Sequence, residues 1–198
     1  WGGNVCFGYF DFKDGTHPTI TIATDTDIND FKILPHDADI SNVEKGRRYI
    51  TFNVNKPNQN ITLVMNDNYK GDVLHLFCNR IEKQPKLSKK YNKETHYDSQ
   101  SETYFFGPGY WDLKKIPGCD GRLSIRGKQK IYVAPGAVIN GQLKITESEK
   151  GSECAKIYGH GMVVNDKKTG FNSLSVDYSE GGHIEGILIH THRKHCWQ

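Results

Sequence analysis

Apolar and polar side chains alternate in short runs along the first part of the chain. Val5-Cys6-Phe7-Gly8-Tyr9-Phe10 is rich in strand formers and is followed by the turn signal Asp14-Gly15. Thr19-Ile20-Thr21-Ile22-Ala23 alternates strictly, and Phe31 to Pro35, Arg48 to Val54, Asn60 to Met65 and Val73 to Phe77 follow. Side chains two apart share one face of a strand, so each run offers one apolar face to a core. Some six runs at roughly ten-residue spacing predict a β-sandwich of two antiparallel sheets over residues 1–82. The stretch 83–102 breaks the pattern. It is charged, contains Pro85 and carries little that is apolar, which predicts a linker outside either core.

Beyond residue 102 the chain repeats. Tyr104-Phe105-Phe106-Gly107-Pro108-Gly109 is echoed by Ile131-Tyr132-Val133-Ala134-Pro135-Gly136, then by Ile157-Tyr158-Gly159-His160-Gly161 and Ile184-Glu185-Gly186-Ile187. Starts at 104, 131, 157 and 184 give intervals of 27, 26 and 27 residues. A fixed period of this size marks a solenoid, in which each repeat buries its apolar face only against its neighbours. No helical period lies between the repeats, so residues 103–198 are expected to form a parallel β-helix, with Gly136 and Gly141 at corners. A second sandwich with coincidentally spaced turns is the alternative. Open ends of a β-helix invite further pairing. The last coil runs through Gly186 to His190 without a cap before Gln198, which predicts that the chain is the N-terminal part of a longer protein.

Composition narrows the function classes. Lys and Arg number 26 against 23 Asp and Glu, a net charge of only +3, which argues against a dedicated nucleic-acid binder. No apolar run approaches the roughly 18 residues of a membrane span, so a soluble chain is expected. Cys6, Cys78, Cys119, Cys154 and Cys196 form no CxxC pair and read as buried free thiols, with one disulfide as the alternative. The chain starts at Trp1 with no charged and apolar leader ahead of the fold, so any signal peptide is expected to be already removed. No feature fixes an oligomeric state.

The motifs resemble a known group. Tyr104 to Trp111 is similar to the "FxPGxY" segment of the dextranase and isopullulanase glycoside hydrolases (family forty-nine). Ile131 to Gly141 is similar to their "VYxAPGAxVxG" coil, and equally to the coil of polygalacturonase-like enzymes (family twenty-eight); Ile157 to Gly161 resembles the segment that begins the next turn. The resemblance implies an all-β chain, a β-sandwich followed by the first coils of a right-handed parallel β-helix of the pectin-lyase-like type. It implies a secreted or periplasmic glycoside hydrolase acting on a polysaccharide or oligosaccharide, without cofactor, with catalytic aspartates downstream of Gln198. A polysaccharide lyase on the same β-helix, or a non-catalytic carbohydrate-binding or adhesin β-helix, is the alternative. These motifs are structural and reach chemistry only by association.

Hydrolysis of a glycosidic bond needs an acid and a second carboxylate, roughly 6.5–9.5 Å apart in an inverting enzyme. Asp166, Asp177, Glu180 and Glu185 are the carboxylates that can be argued into a pair, although isolated carboxylates at β turns are usually solvated. His190, His192, His195 and Cys196 form a metal-capable group, read here as polar residues of a coil turn, so no metal is expected. Trp197, His195 and Trp111 are the expected substrate-binding residues, Tyr110 being a further ring suited to stacking on a sugar. A core or domain-interface position is the alternative for Trp111. Gly107-Pro108-Gly109 lacks the Lys-Ser/Thr of a phosphate loop. Lys86 to Lys93 reads as solvated loop.

Overall fold

A computed structural model describes residues 6–148, 154–165, 172–177 and 180–191. Two compact units cover 1–82 and 83–198.

Among the described residues of the first unit seven strands form: β1 (Cys6–Phe12), β2 (Thr19–Ala23), β3 (Phe31–Leu34), β4 (Ile40–Lys45), β5 (Tyr49–Val54), β6 (Gln59–Met65) and β7 (Val73–Arg80). They make a four-stranded sheet, β1-β7-β6-β3, and a three-stranded sheet, β2-β5-β4. Alternate residues of both, among them Ile50, Phe52 and Val54 of β5 and Ile61, Leu63, Leu76 and Cys78 of β6 and β7, share one apolar cluster. Full burial of such a side chain contributes about 1.5–3 kcal/mol, so β5, with three at zero exposure, anchors the sandwich. Two details depart from the expected pattern. β1 pairs with β7 in parallel, so the larger sheet is mixed. β4 was not visible in the alternation, because its register shifts between Ser41 and Glu44 and Asn42 takes φ +52°. An extra residue in a bulge scrambles the period of two.

The second unit is a parallel β-helix. Its strands are β8 (Tyr91–Asn92), β9 (Tyr97–Asp98), β10 (Thr103–Phe106), β11 (Gly109–Asp112), β12 (Arg122–Gly127), β13 (Lys130–Val133), β14 (Ala137–Asn140), β15 (Gln142–Ser148), β16 (Lys156–Tyr158), β17 (Met162–Asn165), β18 (Leu174–Asp177), β19 (His183–Glu185) and β20 (Leu188–Thr191). Three sheets stack the coils: β10-β13-β16-β19, extended by β9 and β8, then β11-β14-β17-β20, then β12-β15-β18. Pairing is parallel from coil to coil, with Ile131 opposite Ile157 and Ile157 opposite Ile184, the register that the repeat predicts. Like residues stack inside: Ile139 on Val163, Leu123 on Leu143 on Leu174, Ile125 on Ile145. Ile131 and Ile157 are fully buried, whereas Ile184 is 36% exposed, because it lies on the last described strand of its ladder.

Residues 83–102 are folded rather than an open linker. β8 and β9 form an antiparallel hairpin and β9 pairs with β10. The buried Asp98 carboxylate accepts the Ser88 hydroxyl at 2.5 Å, the Ser88 amide at 2.8 Å and the Gln100 amide at 3.0 Å. Those bonds favour the ionised form and hold its pKa down to about 2, the Ser88 hydroxyl contributing most. The hairpin thus occupies the edge of the first coil, an edge that would otherwise present unpaired backbone groups.

Candidate functional site

Of the carboxylates that can be argued into a pair, the described ones share no element. Asp177 ends β18, half-buried and ion-paired with Lys144 of the neighbouring β15. Glu185 lies on β19, in a different sheet of the β-helix, and its Oε2 is 2.7 Å from Nε2 of His183. Asp177 and Glu185 thus stand on different sheets, each engaged with a basic neighbour rather than with the other. Glu180 is exposed between the two strands, and Asp166 lies outside the described residues. Among the described residues no group of three His, Cys, Asp or Glu side chains converges as a metal would require. His190 is exposed on β20, while His192, His195, Cys196 and Trp197 lie outside the described residues.

Trp111 is built into the wall of the first coil. It pairs in register with Ile139, packs against the β-helix core, and its indole N–H donates to the Gly107 carbonyl at 2.7 Å. Its ring meets His96 edge-on at 4.4 Å, and His96 lies 5.4 Å from Phe106. His96 Nδ1 is 3.1 Å from the Tyr91 hydroxyl, and burial lowers the imidazole pKa while raising that of Tyr91. The polar handle of Trp111 is thereby committed inside the chain. Tyr110, one residue earlier, points the other way and is 63% exposed.

Strand register gathers a group that the sequence reading missed. On the outward face of the β10-β13-β16-β19 sheet, Phe105, Tyr132, Tyr158 and Glu185 fall in one column. Thr103, Lys130, Lys156 and His183 form a parallel column two residues earlier. The rings are stacked, Phe105 to Tyr132 at 5.3 Å and Tyr132 to Tyr158 at 5.2 Å between centroids. Tyr132 is wholly buried, so it holds its neighbours in line rather than meeting a ligand. The exposed end of the double column is the hydrogen-bonded Glu185–His183 pair, which has one group able to accept a proton and one able to donate or accept. The signal was present, since the period of 27, 26 and 27 residues that aligns the isoleucines also aligns their polar neighbours.

No protein-family model matches the chain, and comparison with curated proteins returns no match. Among solved structures, Dex49A from Penicillium minioluteum matches with a TM-score of 0.59 over 95% of this chain, at 13% sequence identity. The chain spans 43% of the length of that structure. The likeness at that identity is one of fold, and the chain shares with Dex49A the all-β architecture ending in a parallel β-helix.

Proposed function

We propose that this chain is the N-terminal part of a secreted or periplasmic glycoside hydrolase acting on a polysaccharide, whose catalytic acid and base lie outside the described residues. The observation that carries the reading is the fold shared with Dex49A along 95% of the chain, together with motifs that resemble the dextranase and isopullulanase family on the coils themselves. The solenoid supplies what a long, regular substrate needs: side chains repeated at about 4.8 Å from strand to strand along an open face. Two positioned carboxylates are still required, and Asp177 and Glu185 stand on separate sheets, each paired with a basic neighbour. That same fact favours one second reading, a carbohydrate-binding β-helix without turnover.

The test is to incubate the chain with dextran, pullulan and polygalacturonate and measure new reducing ends, alone and in a longer chain that continues past Gln198. Positioned acid–base groups contribute about 10²–10⁴-fold each. The expected result is background rate for residues 1–198 and turnover for the longer chain. Turnover by residues 1–198 that disappears in Glu185→Gln or Asp177→Asn would place the acid–base site here. Inactivity of both chains on all three substrates would leave only the binding reading.

A further inference from the structure

The outward face of the β2-β5-β4 sheet carries a preformed aromatic platform. Tyr49 is 46% exposed at the start of β5. A Cβ built on Gly46 would fall well under 3.0 Å from the Tyr49 ring, closest to Cε1, with Cζ and Cδ1 nearly equal at 2.5 and 2.6 Å. Distances this short to both ring neighbours of the closest atom mean an approach from above the ring face, since an approach in the ring plane along the Cε1–H bond would hold both neighbours farther off. One face of Tyr49 therefore lies on the bare Cα of Gly46, and the Gly46 amide donates to the Tyr49 carbonyl at 2.9 Å, which fixes the turn beneath it. The residue opposite Tyr49 across the sheet is Ala23, too small to cover the other face.

The rest of that face is rich in hydrogen-bonding groups and carries one exposed carboxylate, Glu44, opposite Thr51, which repels an anionic sugar while still accepting from hydroxyls. Tyr49, Thr51 and Asn53 share one side of β5 and run about 13 Å, long enough for a short oligosaccharide rather than a single ring. Thr51 lies 3.0 Å from the Thr21 hydroxyl, and Thr19 donates to Asn53 Oδ1 at 2.9 Å, which orients the row while leaving further donor and acceptor capacity on each group. The cations nearest the platform are engaged elsewhere. Arg47 and Arg48 both grip Asp27, at 2.9 Å each, and Lys45 donates to the Ile28 carbonyl.

We propose that this sheet face is a binding site for a neutral polysaccharide, with the Tyr49 ring stacking on a sugar and Thr51, Asn53 and Thr21 bonding its hydroxyls. A flat ring with one buried face offers apolar contact at little cost in side-chain freedom, and neutral hydroxyl and amide groups match sugar hydroxyls rather than carboxylates. The site belongs to the first unit and does not depend on any reaction in the β-helix.

Electrophoresis of the whole chain through native gels containing dextran, pullulan or polygalacturonate tests it. The wild type should be retarded by at least one of the two neutral glucans and not by polygalacturonate. Tyr49→Ala should weaken the retardation about tenfold, and Tyr49→Phe should keep it. Gly46→Ala leaves the tyrosine in the sequence but pushes its ring off the platform, so it should lose binding while amide exchange along β5 stays near that of the wild type. Tyr49→Ala retarded like the wild type, retardation by polygalacturonate alone, or a wild type that neither glucan slows would each overturn the proposal. Retardation that survives Tyr49→Ala assigns binding to another surface and leaves the hydrolase reading standing. An inactive longer chain whose retardation still depends on Tyr49 sinks that reading instead.

Discussion

Replacing Gly159 by Ala tests whether the coils are stacked as closely as the repeated glycines imply. Gly159 follows Tyr158, whose β16 pairs with β13 one coil earlier. Its φ is +120°, and a Cβ there would lie 2.9 Å from the Val133 carbonyl carbon and 3.1 Å from the Val133 nitrogen, with the Val133 oxygen nearer still. That oxygen cannot retreat freely, because it accepts the Gly161 amide at 3.0 Å. Two costs add. Holding a non-glycine residue at such a φ costs about 1–3 kcal/mol. Forcing a methyl into packed backbone costs about 1–3 kcal/mol more. The expected destabilisation is therefore about 2–6 kcal/mol. Gly118 separates the two, since its φ is +82° but a Cβ there meets nothing within 4 Å. Gly118→Ala should show the backbone cost alone. The chain holds two compact units, so a single global midpoint is not a clean measure. Urea unfolding should be paired with amide exchange at β13 and β16, which reports the affected coils directly. If Gly159→Ala is no more destabilising than Gly118→Ala, beyond the roughly 0.5 kcal/mol scatter of such comparisons, the close approach of the coils is refuted.

Three further outcomes follow from packing and burial. Ile145→Ala, at the fully buried centre of its ladder, should cost about 2–5 kcal/mol in urea unfolding, and Ile184→Ala, at 36% exposure, distinctly less; equal losses would show that the last described strand is not at the margin of the core. His96 has a lowered pKa because burial disfavours its charged form, so its contribution to stability is complete above the ordinary value of about 6.5 and is lost as pH falls through the lower folded value. Unfolding followed from pH 7 to pH 5 should show a decline that His96→Phe removes; an unchanged slope would mean that another group titrates there. In the native chain a thiol reagent should modify Cys6, which is exposed, and spare Cys78 and Cys119, whose pKa values burial raises, that of Cys78 to about 11. Mass mapping that finds Cys78 labelled as fast as Cys6 would contradict the packing of the sandwich core.

Much of the architecture was legible because it rests on two strict periods. A period of two located most strands of the sandwich, and a period near 27 residues fixed which isoleucines stack, down to the pairing of Ile131 with Ile157 and Ile184. What escaped had local physical causes. The bulge between Ser41 and Glu44 hid β4. The parallel pairing of β1 with β7 depends on which strands are neighbours, which alternation does not encode. Residues 83–102 looked like a linker because their fold rests on few groups: the rings of Tyr91 and His96 against Phe105, Phe106 and Trp111, and one buried carboxylate, Asp98. Charge counts weigh every Asp alike, whereas Asp98 is an internal hydrogen-bonding hub.

Trp111 shows why chemistry was harder to read than fold. As a residue type it suits both a sugar platform and a core wall, and only the donation from its indole to Gly107, with His96 against its ring, separates the two. Tyr49 is the converse case. Its role as a platform depends on Gly46 three residues earlier having no side chain and on Ala23 lying across the sheet, neither of which resembles a binding motif in sequence. In a β-helix the inward positions must repeat, because every coil packs on the next, and that repetition is what makes the fold visible. Outward positions carry no such constraint. Lys144 and Asp177 can pair on one sheet while His183 and Glu185 pair on another, and nothing in the period distinguishes a surface ion pair from half of an acid–base site. Their placement in three dimensions does distinguish them: Asp177 and Glu185 stand on different sheets, each already paired with a base of its own sheet.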